Sequence, residues 1–309
     1  MIADNYKFDA LELSMLPRDE RTCVVNNEFI ISDNFDEEGN ACDLSSDPHM
    51  RSFITAPYPF KIQFAMVSLC VEGSMRLRHN LTEYELHRNS MMIVTPGSIG
   101  QCLELSPDCR LAIIALANGD SITEKNRDGA LVVRKFLSKS PILQLSDGQM
   151  GELLSIYHAM RAKIQQPDFI YKREVLDGYM QVFYYCMCQA MTPYVEQQDA
   201  VRGTRKKEIF DRFIEVLREN YTSQRAIGFY ADRLCMTPKY LSQVVHSVSG
   251  RHAGDWIRDY VILEAKALLK SGQYSVQQVS DMLNFANQSF FGAYFKRSVG
   301  CSPSAYRDM

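Results

Sequence analysis

The segment that decides the fold of the C-terminal part is Val276–Arg297, with the sequence VQQVSDMLNFANQSFFGAYFKR. Ser275 is a suitable N-cap for a short helix that runs to Leu283, because its hydroxyl can accept a hydrogen bond from a free first-turn amide. The next four residues, Asn284–Asn287, form a turn, and a second helix is predicted over Gln288–Ser298. Two helices joined by so short a turn are typical of a helix-turn-helix motif.

The same pattern occurs a second time, earlier in the chain. A short helix is predicted over Ile227–Leu234, and a second helix begins at Pro238 after the N-cap Thr237. Proline fits the first helical position, where no amide hydrogen bond is lost. The two second helices, starting at Pro238 and Gln288, are 50 residues apart, with one long helix, Ala253–Lys270, between them. That helix can space them by about one turn of DNA, roughly 34 Å, so the duplicated motif predicts DNA binding.

Polar side chains on the outer faces of these second helices are the candidate DNA contacts. Gln and Asn can form paired hydrogen bonds with base edges, Lys, Ser and His reach phosphates or bases, and Gly permits close approach. The same residues could form an ordinary solvated surface, but the duplicated motif favours DNA contact. Helical spacing predicts that Phe290, Phe291, Tyr294 and Phe295 face the core. The candidate DNA contacts are Lys239, Ser242, Gln243, His246, Asn287, Gln288, Ser289, Gly292 and Lys296.

Length and charge divide the chain into two parts. Its 309 residues are enough for two domains. Residues 1–201 contain 18 Lys and Arg against 27 Asp and Glu, a net charge of −9, whereas residues 202–309 contain 16 against 10, a net charge of +6. Hydrophobic residues make up 46% and charged residues 23%, which excludes a disordered or fibrous chain. The basic third is the part expected to meet a polyanion.

The N-terminal part has a different pattern. Short apolar or alternating runs separated by turns occupy Phe60–Leu116, which is typical of a small barrel or sandwich. The polar segment Asp33–Asp47 is predicted to be an exposed loop. Two long helices, Ser146–Ile164 and Phe169–Met191, are joined by a short break and form an antiparallel pair. Thr192–Thr204 is predicted to be an interdomain linker.

The C-terminal hundred residues resemble the AraC/XylS family of bacterial transcription regulators. The resemblance is carried by Val276–Arg297 together with Gly300–Arg307, and upstream by Ala231–Leu234, Tyr240–Leu241 and Gly250. It implies a DNA-binding domain with two helix-turn-helix motifs.

Three positions of the first motif depart from the family pattern. The family commonly has Gly where Cys235 stands, a Phe-Lys pair where Val245 and His246 stand, and Arg about where Val261 stands. These departures imply that the first motif has weaker or altered base contacts.

The resemblance also implies the organisation of the remaining chain. The family commonly joins its DNA-binding domain to a cupin-like sensor barrel and a dimerising helix pair, which here fits Gly73, the predicted strands and Val94–Gly97. It implies a homodimer formed through the helices between Ser146 and Met191, a small-molecule effector, and RNA polymerase as a partner. The apolar helical stripe that would form the dimer comprises Val175, Tyr179, Val182, Phe183 and Cys186.

The predicted fold class is therefore α+β multidomain: an N-terminal cupin-like β-barrel with a helical dimerisation hairpin, and a C-terminal all-α domain with two helix-turn-helix motifs. The predicted domains are a sensor domain over residues 1–125, a dimerisation segment over 126–191, a linker over 192–204 and a DNA-binding domain over 205–309. The predicted function is a sequence-specific DNA-binding transcription regulator controlled by an effector or another signal at the N-terminal domain.

Two alternatives remain: a metal-dependent cupin enzyme with an accessory DNA-binding domain, and a regulator whose barrel is a ligand-free interaction module. His79 and His87 are eight residues apart and no further His follows them until His158, a spacing that fails the cupin metal pattern. Cys186 and Cys188 diverge on a helix and lack a second pair. No metal, cofactor or catalytic residue is predicted.

The location of the protein is also predicted from sequence. Its nine cysteines have no regular spacing, which favours reduced thiols in the cytoplasm. The N-terminus lacks the apolar core of a signal peptide. Gly178–Val195 is uncharged, but its apolar residues follow one helical face, which favours packing over a membrane span.

Overall fold

The computed structural model describes residues 10–16, 21–35, 56, 58–117, 127–137, 139–200 and 205–309. The chain divides into two units, which are treated separately. The strand-rich unit comprises Leu11–Pro57 and Ile62–Gln197, and the helical unit comprises Met1–Ala10, Tyr58–Lys61 and Gln198–Met309.

The described strands form two sheets, so the strand-rich character predicted for the N-terminal part is confirmed. One sheet has five strands in the order β1-β4-β9-β6-β7, and the other has six in the order β11-β8-β5-β10-β3-β2. Among the described strands, neither order closes into a barrel. The strands are β1 (Ala10–Leu11), β2 (Thr22–Val25), β3 (Phe29–Asp33), β4 (Phe60–Ile62), β5 (Ala65–Glu72), β6 (Ser74–His79), β7 (Thr82–His87), β8 (Ser90–Val94), β9 (Ile99–Leu105), β10 (Arg110–Leu116) and β11 (Ile142–Gln144).

Strands β2 and β3 were not predicted, and they correct the interpretation of the loop that follows. Asn26 and Asn27, with φ angles of 52° and 55°, are the central residues of a tight turn in which the Glu28 amide donates to the Val25 carbonyl at 3.1 Å, and such a left-handed pair is typical of a hairpin. Asp33 ends β3 and is buried, as is Asn34, whose side chain bonds the Cys109 carbonyl and the Leu111 amide, each at 2.7 Å. These two residues are therefore not part of an exposed loop. Residues 36–47 of that predicted loop lie outside the described residues.

Among the described residues, three helices lie wholly or mainly in the strand-rich unit: α1 (Arg127–Leu137), α2 (Asp147–Gln165) and α3 (Lys172–Ala200). Ser146 caps α2 by accepting from the Gln149 amide, and the Gln149 side chain accepts from the Ser146 amide in return. The start of α2 therefore agrees with the sequence prediction.

Helix α3 continues past Pro193, so the predicted helix end at Met191 is wrong. Proline removes one helical hydrogen bond, and this cost suggested an end there. Local contacts support the continuation: the Thr192 hydroxyl donates to the Cys188 carbonyl at 2.9 Å, and the Tyr194 hydroxyl donates to the Gln144 carbonyl at 2.9 Å. The first residues of the predicted linker Thr192–Thr204 are thus helical, and residues 201–204 lie outside the described residues.

The core of the strand-rich unit lies between the six-stranded sheet and these helices. Leu69 and Ile114 from the sheet are buried in one cluster with Tyr157 and Phe183 from α2 and α3. The Tyr157 hydroxyl donates to the buried Asp33 carboxylate at 2.9 Å, and Arg161 forms an ion pair with the same oxygen. Burial raises the pKa of Tyr157 well above its usual range, which keeps the hydroxyl a donor.

The helical unit contains the duplicated motif, with boundaries close to those predicted. Glycines in the left-handed conformation follow three of the helices: Gly250 with φ 70°, Gly272 with φ 77° and Gly300 with φ 93°. The helices are α4 (Arg205–Asn220), α5 (Ile227–Arg233), α6 (Pro238–Ser249), α7 (Ala253–Ser271), α8 (Val276–Met282), α9 (Gln288–Val299) and α10 (Pro303–Asp308). Within the described residues, no helix is both long and apolar enough to cross a bilayer.

Candidate nucleic-acid interface

The second helices of the two motifs, α6 and α9, are built alike and are termed the recognition helices. Each follows an N-cap residue whose side chain accepts a hydrogen bond from the third helical amide. Thr237 accepts from Tyr240 at 3.2 Å, and Asn287 accepts from Phe290 at 3.0 Å. Position for position, α9 repeats α6 at an offset of 50 residues.

Matching inner side chains hold the two recognition helices in the unit. Leu241 and Val245 of α6 are fully buried, and so are Phe291 and Phe295 at the equivalent positions of α9. The Phe291 ring lies 5.2 Å from the ring of Phe285 in the turn before α9. The opposite face of each helix is left free of core contacts, which is the arrangement that a helix in a DNA groove requires.

Most of the predicted DNA-contact residues lie on these outer faces. At about 100° per residue, the second, sixth, ninth and tenth positions of each helix form one surface. On α6 these positions hold the exposed residues Lys239, Gln243, His246 and Ser247; on α9 they hold Ser289, Ala293, Lys296 and Arg297. Ser247, Ala293 and Arg297 were not predicted, although the helical spacing was available to place them.

Three of the predicted residues lie outside this surface or at its edge. Ser242 and Gly292 are half-buried at its edge. A Cβ atom added to Gly292 would meet nothing within 4 Å, so the fold itself does not need a glycine there. Gln288 is exposed at the first helical position.

Two further candidates have structural roles as well. The Asn287 side-chain oxygen is occupied by the N-cap hydrogen bond to the Phe290 amide. The His246 ring is exposed on α6 and stacks on the ring of His252, with centroids 4.7 Å apart.

Phe290 corrects the prediction that all four aromatic residues of α9 face inward. Its side chain is 65% exposed, whereas Phe291 and Phe295 are fully buried and Tyr294 is half-buried. Neighbouring helical residues point about 100° apart, so Phe290 and Phe291 cannot both occupy the centre of the buried face.

Cations on the recognition helices have no acidic partner among the described residues. Some arginines elsewhere in the unit are paired with carboxylates: Arg258 pairs with Asp255 at 2.8 Å, and Arg251 pairs with Asp259. In the described part of the chain, no carboxylate lies within ion-pair distance of Lys239, Lys296 or Arg297, the cations of the outer faces. These charges are therefore available to phosphates.

Comparison with known proteins identifies this arrangement. A family model described as a helix-turn-helix domain matches residues 230–309. The arabinose operon regulatory protein of Escherichia coli is 31% identical over 81 residues, which cover 26% of this chain and 28% of that protein. The virulence regulon transcriptional activator VirF of Yersinia enterocolitica is 23% identical over 248 residues, covering 77% of this chain and 87% of VirF. The helix-turn-helix domain over residues 230–309 is of the AraC/XylS type.

The matches to known proteins differ in how much of each protein they cover. Among the curated relatives, the matched segment spans 15% of the regulator YtdP of Bacillus subtilis and 28% of the Escherichia coli arabinose regulator, so the chain spans less than a third of these two relatives. Among solved structures, fatty-acid-bound ToxT from Vibrio cholerae matches 92% of this chain and 96% of its own, at 12% identity and a TM-score of 0.42.

The turn of the first motif explains why AraC/XylS proteins commonly have Gly where this chain has Cys235. Cys235 has a φ of 54°, in the left-handed region that disfavours residues with a Cβ atom. The equivalent turn residue of the second motif, Asn284, also has a φ of 54°. Asparagine tolerates this conformation better than cysteine, so strain is concentrated in the first motif.

Arg225 ties the start of the first motif to the turn of the second, and sequence reasoning missed it. Its guanidinium donates to the carbonyls of Leu283 and Asn284 and lies over the Phe285 ring, 4.0 Å from its centroid. The Asn284 amide returns a hydrogen bond to the Ser223 carbonyl at 3.0 Å. Because no local sequence pattern marks a residue that bonds carbonyls 58 positions away, only the fold could show this link.

The predicted dimerisation stripe on α3 does not form one exposed surface. Phe183 is 1% exposed and packs in the core of its own chain, so it is not available to a second chain. Val175, Tyr179 and Cys186 are half-buried. Val182 is 52% exposed.

Metal ligands are not grouped in the described part of the chain. Among those residues, no cluster of three His, Cys, Asp or Glu side chains could hold a metal ion. The described cysteines, Cys186 and Cys188 among them, carry no disulfide.

Proposed function

We propose that this protein binds double-stranded DNA with both recognition helices and regulates transcription from the sites it selects. The observation that carries the proposal is the duplicated, similarly capped helix whose outer face holds cations with no acidic partner among the described residues. The N-terminal turns of α6 and α9 would meet base edges, because helix-turn-helix proteins place that end of the recognition helix in the major groove.

The geometry of the helical unit supports simultaneous use of both motifs. Helix α7, which separates them, has 19 residues and is therefore about 28 Å long. That length is close to one turn of DNA, roughly 34 Å, so the two recognition helices would enter successive major grooves on one side of the duplex.

Some outer-face residues would contribute affinity for DNA, and others would contribute sequence specificity. Lys239, Lys296 and Arg297 would contact phosphates and release counterions, which makes affinity fall as salt rises. Gln243 and Gln288 would read base edges through their amide groups. The predicted contacts of Ser242, His246, Ser289, Gly292 and Asn287 remain part of this proposal.

The strand-rich unit would supply control. We propose that it is a cupin-like sensor and that an effector acts by favouring one of two arrangements of the protein, since a ligand that binds both equally shifts nothing. A homodimer formed through α2 and α3 would use the exposed Val182 rather than Phe183. RNA polymerase would be the partner at promoters, and the protein would act in the cytoplasm.

DNA binding by the full chain is the direct test. Duplexes selected by the protein from a random-sequence pool would be labelled, and binding would be followed by fluorescence anisotropy over a salt series. Lys296→Ala should reduce the slope of log affinity against log salt by about one, and Gln288→Ala should weaken the selected duplexes more than unselected ones. Lys139→Ala, which removes one exposed charge from the strand-rich unit, is the matched control and should leave both quantities unchanged.

The proposal is wrong if the folded full chain enriches no duplex from the pool. It is also wrong if Lys296→Ala and Gln288→Ala both retain wild-type affinity, because the recognition helices would then not be the DNA-binding surface.

A further inference from the structure

The two recognition helices share one feature that the predicted polar contacts do not use. The third helical position of each holds an aromatic residue, Tyr240 in α6 and Phe290 in α9. Both backbone amides are fixed by the N-cap hydrogen bonds described above, so the two side chains leave equivalent points of equivalent helices.

Both aromatic side chains are directed to solvent. Phe290 is 65% exposed and Tyr240 is 42% exposed, and in the described part of the helical unit they are the exposed large aromatic residues. Their neighbours Phe291 and Leu241 are fully buried. An exposed phenylalanine contributes little to the stability of its own fold, because it keeps its apolar area in water.

The two helices that carry these rings also carry exposed cations. Tyr240 follows Lys239 directly, and Phe290 lies on the same helix as Lys296 and Arg297, all without carboxylate partners in the described residues. An exposed aromatic ring on a helix whose cations have no carboxylate partner among the described residues fits a polyanion that presents apolar groups. The DNA major groove is such a surface, because phosphates line it and each thymine displays a 5-methyl group there.

We propose that Phe290 and Tyr240 determine sequence preference by packing on thymine 5-methyl groups, one in each of two successive major grooves. This inference rests on the proposed function, since it requires DNA binding by α6 and α9. Phe290 has no polar atom, so its contact discriminates by the methyl group alone. Tyr240 adds a hydroxyl that can bond a neighbouring base or phosphate, so the first motif depends less on the methyl group.

Removal of single methyl groups from the DNA tests the inference. A duplex selected by the full chain from a random-sequence pool would be resynthesised with deoxyuridine in place of one thymidine at a time, which deletes only the 5-methyl group. For the wild-type protein, such a change should weaken binding at two positions, by about fourfold at the position that Phe290 contacts, the factor that corresponds to burial of one carbon group at about 0.8 kcal/mol, and by less at the position that Tyr240 contacts. Phe290→Ala should lose this sensitivity at that position, and Tyr240→Ala should lose it at a position about one DNA turn away, roughly 10 base pairs.

Matched variants separate this role from a structural one. Phe290→Leu keeps an apolar side chain and should retain methyl sensitivity, while Lys296→Ala should weaken binding equally on thymidine and deoxyuridine duplexes. Because Phe290 is exposed, thermal unfolding of Phe290→Ala should match the wild type.

Three results would overturn the inference. Wild-type protein that binds every deoxyuridine duplex as tightly as its parent would exclude methyl contacts. Phe290→Ala that binds like the wild type would assign the exposed ring to a protein partner instead. If no duplex is bound by the folded chain, the proposed function fails and the inference fails with it.

Discussion

Replacement of Cys235 by glycine should stabilise the helical unit. Cys235 has a φ of 54°, and the left-handed conformation costs a residue with a Cβ atom about 1–2 kcal/mol. Glycine removes that strain but adds about 0.4–1 kcal/mol of chain entropy to the unfolded state. The Cys235 side chain is exposed, so its loss leaves no cavity. The mid-range values of these two terms differ by about 0.8 kcal/mol, so the free energy of unfolding should rise by about that amount.

Urea unfolding followed by circular dichroism, together with differential scanning calorimetry of the full chain, would measure this change. Cys235→Ala is the control, because it removes the sulfur and keeps the Cβ atom, and it should leave stability unchanged. Asn284→Gly in the second motif should not stabilise, because it also removes the 3.0 Å hydrogen bond to the Ser223 carbonyl. Equal stabilisation by Cys235→Gly and Cys235→Ala, or none by Cys235→Gly, would refute the strain argument.

Three other substitutions test separate parts of the structure. Asp33→Ala should lower the free energy of unfolding by about 3 kcal/mol in chemical denaturation, because it leaves Arg161 as a partly buried charge without its partner. The double variant Asp33→Ala with Arg161→Met should recover part of that loss. Additive effects of the two substitutions would contradict the pairing. Gly292→Ala should raise helix stability by about 1 kcal/mol in thermal unfolding, because open space surrounds the position. The same substitution should weaken DNA binding if α9 lies close to the groove. Unchanged affinity for DNA would exclude that close approach. Val182→Glu should lower the dimer fraction in analytical ultracentrifugation without loss of secondary structure, since Val182 is half exposed. A variant that stays as dimeric as the wild type would show that α3 is not part of the dimer interface.

The elements with strong local signals were predictable from sequence. The N-caps Thr237 and Ser275, and the proline after Thr237, fixed the helix starts, because capping depends on a few adjacent residues. The hairpin of β2 and β3 had a usable signal as well. Asn26 and Asn27 between two apolar runs are typical of a two-residue turn, so the strands were missed although the sequence contains the pattern.

Other features depend on tertiary contacts and could not be predicted. Helix α3 passes Pro193 because Tyr194 is held by the Gln144 carbonyl, 50 residues earlier. The apolar stripe of α3 predicted a contact face, but only the fold shows that Phe183 is used by the chain's own core while Val182 is not. Periodicity also could not decide which of Phe290 and Phe291 faces inward, because both positions carry the same residue type.

Footprinting on a selected duplex tests the central claim most directly, which is that α6 and α9 occupy two successive major grooves. Hydroxyl-radical footprinting with the folded full chain should show protected sugars flanking two major-groove segments about one turn apart, roughly 10 base pairs. Removal of the outer-face side chains of α9, with Ser289→Ala and Lys296→Ala, should erase one segment, and Lys239→Ala with Gln243→Ala should erase the other. Protection that survives both sets of changes, or a single protected segment that neither set affects, would contradict the account.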